Sequence, residues 1–342
     1  MRIKCPGCAK VYNIPDDRLP KKKTASFNCQ ECKYIIKLDL EAKVVLGLNP
    51  VEEKQIISPP PDQVDDPALK KKILRALKEL PPMPQVVSKV SEIMANPKMG
   101  FKDIAKVLET DQAIAALLLK TSNSPYYGMS GKVGTIHQAI VLLGYETLEE
   151  VLTVVVSSAL LGKRLKGYGI DSGALWQHSL AVALGSKIIA GLVNPSLENE
   201  AFSAGLIHDS GKLVLDRFLA EKKAGFKNVS QMEPGAIIHL EKQFLGFDHA
   251  ELAFKLCGKW NIPQNQSIAI RFHHNPSDSQ GSQLAYILHA ADLIAFMDDL
   301  GIDGVLNQME DGVMEYLGIE LEKVEKIHGE VKESLEKLMQ NF

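Results

Sequence analysis

Residues 204–212 read Ala204-Gly-Leu-Ile-His-Asp-Ser-Gly-Lys212, an apolar run ending on an adjacent histidine and aspartate. Working outward, comparable side chains recur in other apolar stretches. His178 lies in Leu175-Trp-Gln-His-Ser-Leu180, and His249 follows Asp248. His273 and His274 close the segment that starts near Gln264, and Asp292 sits in His289-Ala-Ala-Asp-Leu-Ile294. A lone histidine on an apolar helix is usually a satisfied core residue. Burying several histidines and aspartates is costly unless they pair or bind metal. Imidazoles and carboxylates drawn from several helices are a common way to hold one or two divalent ions in a helical core. Lys212 lies one turn from His208 and Asp209 and reaches the same face. Two readings of it stand side by side: a cation that steadies a phosphate or metal-bound water, or a solvated helix residue.

The surrounding pattern is helical. From Ala68 onward, Ile73, Leu74, Leu77 and Leu80 recur at spacings of three and four until Pro81-Pro82 stops them. Val86 to Met94, Ile104 to Leu108, Ile114 to Leu119, Ile136 to Leu143 and Leu148 to Leu161 continue the pattern. No β-rich block interrupts it, so this part predicts an all-α domain over 68–300, with its site-bearing core about 170–295. Asp248-x-x-Glu251 reads as a capping box that opens a helix. Residues 301–342 predict C-terminal helices packed on the domain. Val324, Ile327, Val331, Leu335 and Leu338 form the stripe that docks the last one. Cys257, in Ala253-Phe-Lys-Leu-Cys-Gly258, reads as a small buried hydrophobe.

The front of the chain differs. Residues 1–42 carry short alternating segments, Lys10–Ile14 and Tyr34–Leu40, with turn residues between them. Cys5-Pro-Gly-Cys8 and Cys29-Gln-Glu-Cys32 are two C-x-x-C turns twenty residues apart. Each turn aims two sulfurs at one point, and together they supply the four thiolates of a tetrahedral Zn²⁺ site. A β unit of this size has little core, so the metal would provide much of its folding free energy. Residues 43–67 hold Pro50, Pro59, Pro60, Pro61 and Pro67 among polar residues and predict an extended linker.

Composition narrows the functional classes. In 342 residues, 45% are apolar, enough for a sizeable core, and the net charge of −3 gives no global case for nucleic-acid or membrane binding. Residues 1–43 carry +5 and the remainder −8. Lys21, Lys22 and Lys23 read as a solvated loop. No apolar stretch reaches the roughly 18–20 residues of a membrane span, and no secretory h-region opens the chain. A cytoplasmic protein is expected. Arg271, the basic residue nearest the paired histidines, reads as an exposed helix residue. No Arg cluster or Gly-rich phosphate loop announces a substrate pocket.

These residues resemble known families. The cysteine segment, over residues 1–38, is similar to a bacterial zinc-ribbon finger, which implies a structural or contact role. His178, His208-Asp209 and Asp292 match the ligand series of the HD phosphohydrolase superfamily. With His249 and the His273-His274 pair, they also resemble the HD-GYP phosphodiesterases. By that resemblance the seven residues His178, His208, Asp209, His249, His273, His274 and Asp292 ligate a two-metal centre. Where those enzymes continue to Gly-Tyr-Pro, this chain reads Asn275-Pro-Ser-Asp-Ser-Gln-Gly281, which argues against cyclic dinucleotide hydrolysis.

A wider resemblance, over about residues 70–295, is to the HDOD domain. Leu80-Pro-Pro-Met-Pro-Gln-Val86, Leu108-Glu-Thr-Asp-Gln-Ala-Ile114, Ser122-Asn-Ser-Pro-Tyr-Tyr-Gly128, Ile136-His-Gln-Ala-Ile-Val-Leu-Leu-Gly144 and Trp260-Asn-Ile-Pro263 carry it, in that order. HDOD domains are regulatory modules of bacterial signalling, and many have lost HD ligands. Here the set looks complete. The resemblance implies a signalling module that meets a signalling protein or a small phosphorylated ligand. The alternative is a metal-dependent phosphohydrolase, in which Asp209 and Lys212 would be catalytic. Five histidines and two carboxylates suit iron, manganese, nickel or zinc better than calcium or magnesium.

Overall fold

In the computed structural model the chain divides into two compact units, Met1–Pro61 and Asp62–Phe342. The structure describes residues 2–4, 11–13, 24–28, 35–39, 44–45, 66–80, 85–94, 96, 98–127, 133–221 and 234–340.

The first unit is β. Strands β1 (Arg2–Lys4) and β2 (Val11–Asn13) pair antiparallel, with Ile3 opposite Tyr12. A second sheet holds β3 (Thr24–Asn28), β4 (Ile35–Asp39) and β5 (Val44–Val45) in that order, all antiparallel, with Ser26 opposite Lys37. Cys5, Cys8, Cys29 and Cys32, the expected zinc ligands, lie outside the described residues.

The named elements of the second unit's described residues are all helices. The proline-rich stretch ends where Asp66 caps α1 (Pro67–Glu79). Its carboxylate accepts from the backbone N–H groups of Ala68 and Leu69, and Pro67 takes the first helical position. Helices α2 (Gln85–Met94), α3 (Phe101–Leu108), α4 (Gln112–Ser122) and α5 (Ile136–Leu161) form an N-terminal lobe. Its own core holds Val90, Ile104, Leu108, Leu118, Ile140 and Leu148. Between α4 and α5, Asn123 works as a clasp: its side chain donates to the Leu119 and Val133 carbonyls and accepts from the Val133 N–H. The segment Ser122–Tyr127 is therefore a helix-to-helix turn. Helix α5 breaks at Gly144, whose φ of 72° lies in the left-handed region that favours glycine.

The larger core surrounds α6 (Ala174–Val193). Against it pack α7 (Glu198–Ile207), α12 (Gln283–Ala295) and α15 (Leu321–Met339), with α8 (Lys212–Glu221), α9 (Pro234–Leu245), α10 (His249–Lys259) and α11 (Gln264–Arg271) beyond. Helices α13 (Met297–Gln308) and α14 (Val313–Leu317) complete the unit. Helix α15 docks on the body through Val324, Ile327, Val331 and Leu338, all buried. Cys257 is fully buried, as expected. No helix among the described residues is long and apolar enough to cross a membrane.

Two glycines set the approach distances at the centre. A Cβ at Gly205 would stand 2.6 Å from Ala183 Cα, so α7 crosses α6 at a separation only glycine permits. A Cβ at Gly211 would stand 1.9 Å from the His249 carbonyl oxygen. The Ser-Gly after His208-Asp209 therefore lets the start of α10 press against the turn that carries both side chains.

Candidate metal centre

Five segments deliver the seven side chains to one place. His178 comes from α6, and His208 caps the end of α7 with Asp209 in the turn that follows. His249 is the first residue of α10, His273 and His274 follow α11, and Asp292 lies inside α12. The paired histidines stand beyond the helix end, because α11 stops at Arg271. Asp248 caps α10 by accepting from the Glu251 N–H, as its sequence pattern predicts.

The candidate ligand atoms converge. His178 Nε2 is 3.1 Å from Asp292 Oδ1 and 3.7 Å from Asp209 Oδ2. His208 Nε2 is 3.5 Å from Asp209 Oδ2 and 3.6 Å from Asp292 Oδ1. His249 Nε2 is 3.2 Å from Asp209 Oδ1 and 2.8 Å from His274 Nε2. Three overlapping groups, His178-His208-Asp209, His208-His273-Asp292 and His249-His273-His274, each have ligand atoms within 4.8 Å of one another. The two oxygens of Asp209 thus face different histidines, one toward His249 and the other toward His178 and His208.

The imidazoles are pre-set for ligation. Nδ1 of His208 lies 2.7 Å from the Gly205 carbonyl, and Nδ1 of His273 lies 2.7 Å from the Ile270 carbonyl. A carbonyl oxygen only accepts, so each Nδ1 carries a hydrogen and Nε2 is the nitrogen turned toward the cluster. His249 is fixed in the same way: Glu241 Oε2 accepts from its Nδ1 at 2.7 Å and from its backbone N–H at 2.8 Å. The Tyr168 hydroxyl in turn donates to Glu241 Oε1 at 2.6 Å, and both residues are buried. His289 donates from Nδ1 to the His273 carbonyl at 2.7 Å.

Among the described residues, His208 Nε2, His273 Nε2, Asp209 Oδ1 and Asp292 Oδ1 are buried without any hydrogen bond. Burial opposes the charge on Asp209, but Lys212, His208 and His249 outweigh it and hold the carboxyl well below the usual range. Burial likewise opposes the charge on Asp292, which His178 and His208 hold well below that range. For His208, burial lowers the pKa while Asp209 and Asp292 raise it, and the raising effect wins. Burial, reinforced by His208, lowers His273 to about 3, and burial beside His273 lowers His274 well below the ordinary value. His273 and His274 are therefore held neutral beside two ionised carboxylates, while the carboxylates favour the charged form of His208, a proton that a bound cation would have to displace.

Lys212 is nearly buried and its ammonium lies 2.5 Å from Asp209 Oδ2, which removes the solvated reading. Arg271 also departs from expectation. It is part-buried, with its guanidinium 3.6 Å from Asp248 Oδ2, because the capping aspartate of α10 faces it. Glu241, Tyr168 and Phe296, whose ring lies 4.7 Å from that of His178, carry no sequence signal of their own. Glu241 looks like any charged residue on a helix, eight positions before the histidine it orients.

Comparison with known proteins bears on this architecture. Residues 1–37 match the zinc-ribbon domain and residues 80–276 the HDOD domain. An uncharacterized protein of Treponema pallidum (strain Nichols) is 26% identical over 201 residues, 58% of this chain, and the match spans only 38% of that relative's length. A crystal structure of a candidate phosphohydrolase from Shewanella amazonensis SB2B is 25% identical with a TM-score of 0.58, over 78% of this chain and 97% of that one. An HDOD domain protein with unknown function from Geobacter sulfurreducens shares the fold at 21% identity and a TM-score of 0.55, over 78% of this chain and 97% of that one. A candidate signal transduction protein from Marinobacter aquaeolei VT8 shares it at 24% identity and a TM-score of 0.59, over 83% of this chain and 67% of that one. The HDOD match covers more than half of the sequence, and the chain belongs to the HDOD domain family.

Proposed function

We infer that this is a regulatory HDOD protein of bacterial signalling whose helical unit retains an HD-type metal centre, with a zinc-holding ribbon as a second contact surface. The observation that carries the reading is the set of four buried ligand atoms without hydrogen bonds at His208, His273, Asp209 and Asp292. Orphaned buried polar atoms are costly, and a cation among them removes that cost. Separations of 2.8–3.7 Å between neighbouring ligand atoms suit the fit. Nitrogen and oxygen ligands about 2.1 Å from one metal stand roughly 3.0–3.4 Å apart. The imidazole-rich donor set favours iron, manganese, nickel or zinc in the helical unit, and Cys5, Cys8, Cys29 and Cys32 would hold Zn²⁺ in the ribbon. The partner class is a signalling protein or a small phosphorylated ligand.

A second reading, a metal-dependent phosphohydrolase, draws on Lys212. Its ammonium contacts Asp209 at the edge of the cluster where His178 is still partly exposed. Divalent ions held there would supply a hydroxide nucleophile and neutralise phosphoryl charge. Lys212 would then orient a phosphoryl oxygen or the attacking water, and Asp209 would hold it in place. A phosphodiesterase and nucleotidase screen of iron- and manganese-loaded protein separates the two. Turnover abolished by Asp209→Ala selects the hydrolase. A metal-loaded protein inactive across broad substrates selects the signalling module.

A further inference from the structure

Of the histidines outside the metal-ligand cluster, His137 and His239 are exposed and His328 is part-buried, whereas His289 is buried. It lies on α12, one turn before the cluster's Asp292. His289 and Glu310, its hydrogen-bond partner, both lie beyond residues 80–276, the stretch that matches the HDOD domain.

Two backbone groups hold the His289 ring from opposite edges. At one edge, Nδ1 lies 2.7 Å from the His273 carbonyl, which only accepts. At the other, the Glu310 N–H, which only donates, meets Nε2 at 3.1 Å. The hydrogen therefore sits on Nδ1 and the ring is neutral. Glu310 is tied in turn, since its carboxylate accepts from the Ser277 N–H at 3.4 Å. A closed path of hydrogen bonds thus runs from His273 through His289 and Glu310 back to the segment that follows His274.

His273 is the residue that this path constrains. It belongs to two of the candidate ligand groups, one with His208 and Asp292 and one with His249 and His274. It stands past the end of α11, where carbonyls have no helical partner. Its ring is held from its own helix, by the Ile270 carbonyl at 2.7 Å. The bond from His289 adds a tie to a second element. Because α12 carries both His289 and Asp292, one turn of helix sets the position of the His273 backbone relative to the Asp292 carboxylate.

We propose, on the metal-centre reading above, that His289 is a positioning residue: by donating from Nδ1 to the His273 carbonyl, it fixes where His273 meets a metal that Asp292 also holds. Two conservative variants divide its two bonds. In His289→Asn the amide nitrogen takes the place of Nδ1 and keeps the donor to His273. In His289→Gln the amide oxygen takes the place of Nε2 and keeps the acceptor for Glu310. Full-length protein is dialysed against chelator and titrated with manganese, an ion that thiolates hold poorly. His289→Gln should bind manganese roughly 10–100-fold more weakly than wild type, and His289→Asn within about threefold of it. Their melting temperatures should agree within a few degrees, because each variant loses one hydrogen bond. A purely structural histidine would instead give two variants with equal affinities. His289→Gln binding as tightly as wild type, or His289→Asn as weakly as His289→Gln, overturns the positioning role and leaves the metal centre standing. A wild-type protein without saturable manganese binding overturns both. Long-range ¹H–¹⁵N spectra of the metal-free wild type add a measurement that needs no variant. They should show His289 as the Nδ1–H tautomer, and the Nε2–H form would overturn its bond to His273 outright.

Discussion

Asp209→Asn separates two roles that one carboxylate plays. Asp209 neutralises Lys212 at 2.5 Å, and its two oxygens face His249 at 3.2 Å and His208 at 3.5 Å. Asparagine keeps the shape and removes the charge, which leaves a nearly buried ammonium without its counterion. Breaking a buried pair by removing one partner costs about 3–5 kcal/mol. For a domain of this size that lowers the melting temperature on the order of 5–10 °C. Metal acts separately. At a hundredfold excess over its dissociation constant, a ligand that binds only the folded state adds about 2.7 kcal/mol, so wild type should melt several degrees higher with manganese than with chelator. Asp209→Asn should lose that increment as well. The double variant Asp209→Asn/Lys212→Met removes both charges. It should recover most of the chelator-state stability, because deleting both partners is far less costly than deleting one, yet show no response to metal. Calorimetry on the four combinations of variant and metal decides it. A single variant that still gains stability from manganese refutes the ligand role of Asp209. A double variant no more stable than the single one refutes the ion-pair origin of the cost.

Three further outcomes follow from the same geometry. Glu241→Gln keeps an acceptor beside His249 but loses its charge. It should weaken metal binding 10–100-fold in competition titrations, the usual effect of a partner behind a ligating histidine, and unchanged affinity would remove Glu241 from the site's support. Asp248 is driven below its ordinary pKa: burial opposes this, but the Glu251 N–H, Lys242 at 3.0 Å and Arg271 outweigh it. A depressed carboxyl stabilises the fold above its unfolded pKa and loses that contribution as pH falls through the folded value. Asp248→Asn, which keeps the cap, should therefore cost about 1 kcal/mol at neutral pH, and the gap to wild type should close below about pH 4; a gap that persists there contradicts the assignment. Burial pushes the Cys257 thiol up to about 12. Mass spectrometry after native alkylation at mildly alkaline pH should find Cys257 unmodified until denaturant is added, and rapid native labelling would show the α10 core to be open.

How far the sequence was legible depends on the range of each signal. Local ones were readable: the 3–4 spacing from Ile73 to Leu161, the Asp248 cap, the burial of Cys257, and the apolar stretches around His178, His208 and Asp292. Their convergence was not visible in periodicity, since it depends on Gly205 and Gly211 allowing α6, α7 and α10 to approach within van der Waals contact. The sequence pattern runs the helix that begins near Gln264 through His274, three residues past its end at Arg271, because backbone propensity does not register that the His273 ring must turn inward to meet the Ile270 carbonyl. Glu241 stayed hidden for a simpler reason: it is an ordinary polar residue on a helix until His249 is folded against it. Arg271 read as an exposed cation, and Lys212 stood open between a solvated residue and a cation of the site, because the aspartate that each one meets is placed by a cap or a turn.

The central claim is that seven side chains from distant segments of the helical unit hold a metal centre. Anomalous diffraction from crystals of the full-length protein grown with manganese tests it most directly. The account predicts at least one anomalous peak within ligand distance of Asp209, His178 and His208. A map with no peak among these residues, while His208 Nε2, His273 Nε2 and Asp292 Oδ1 keep the spacing seen here, would contradict it.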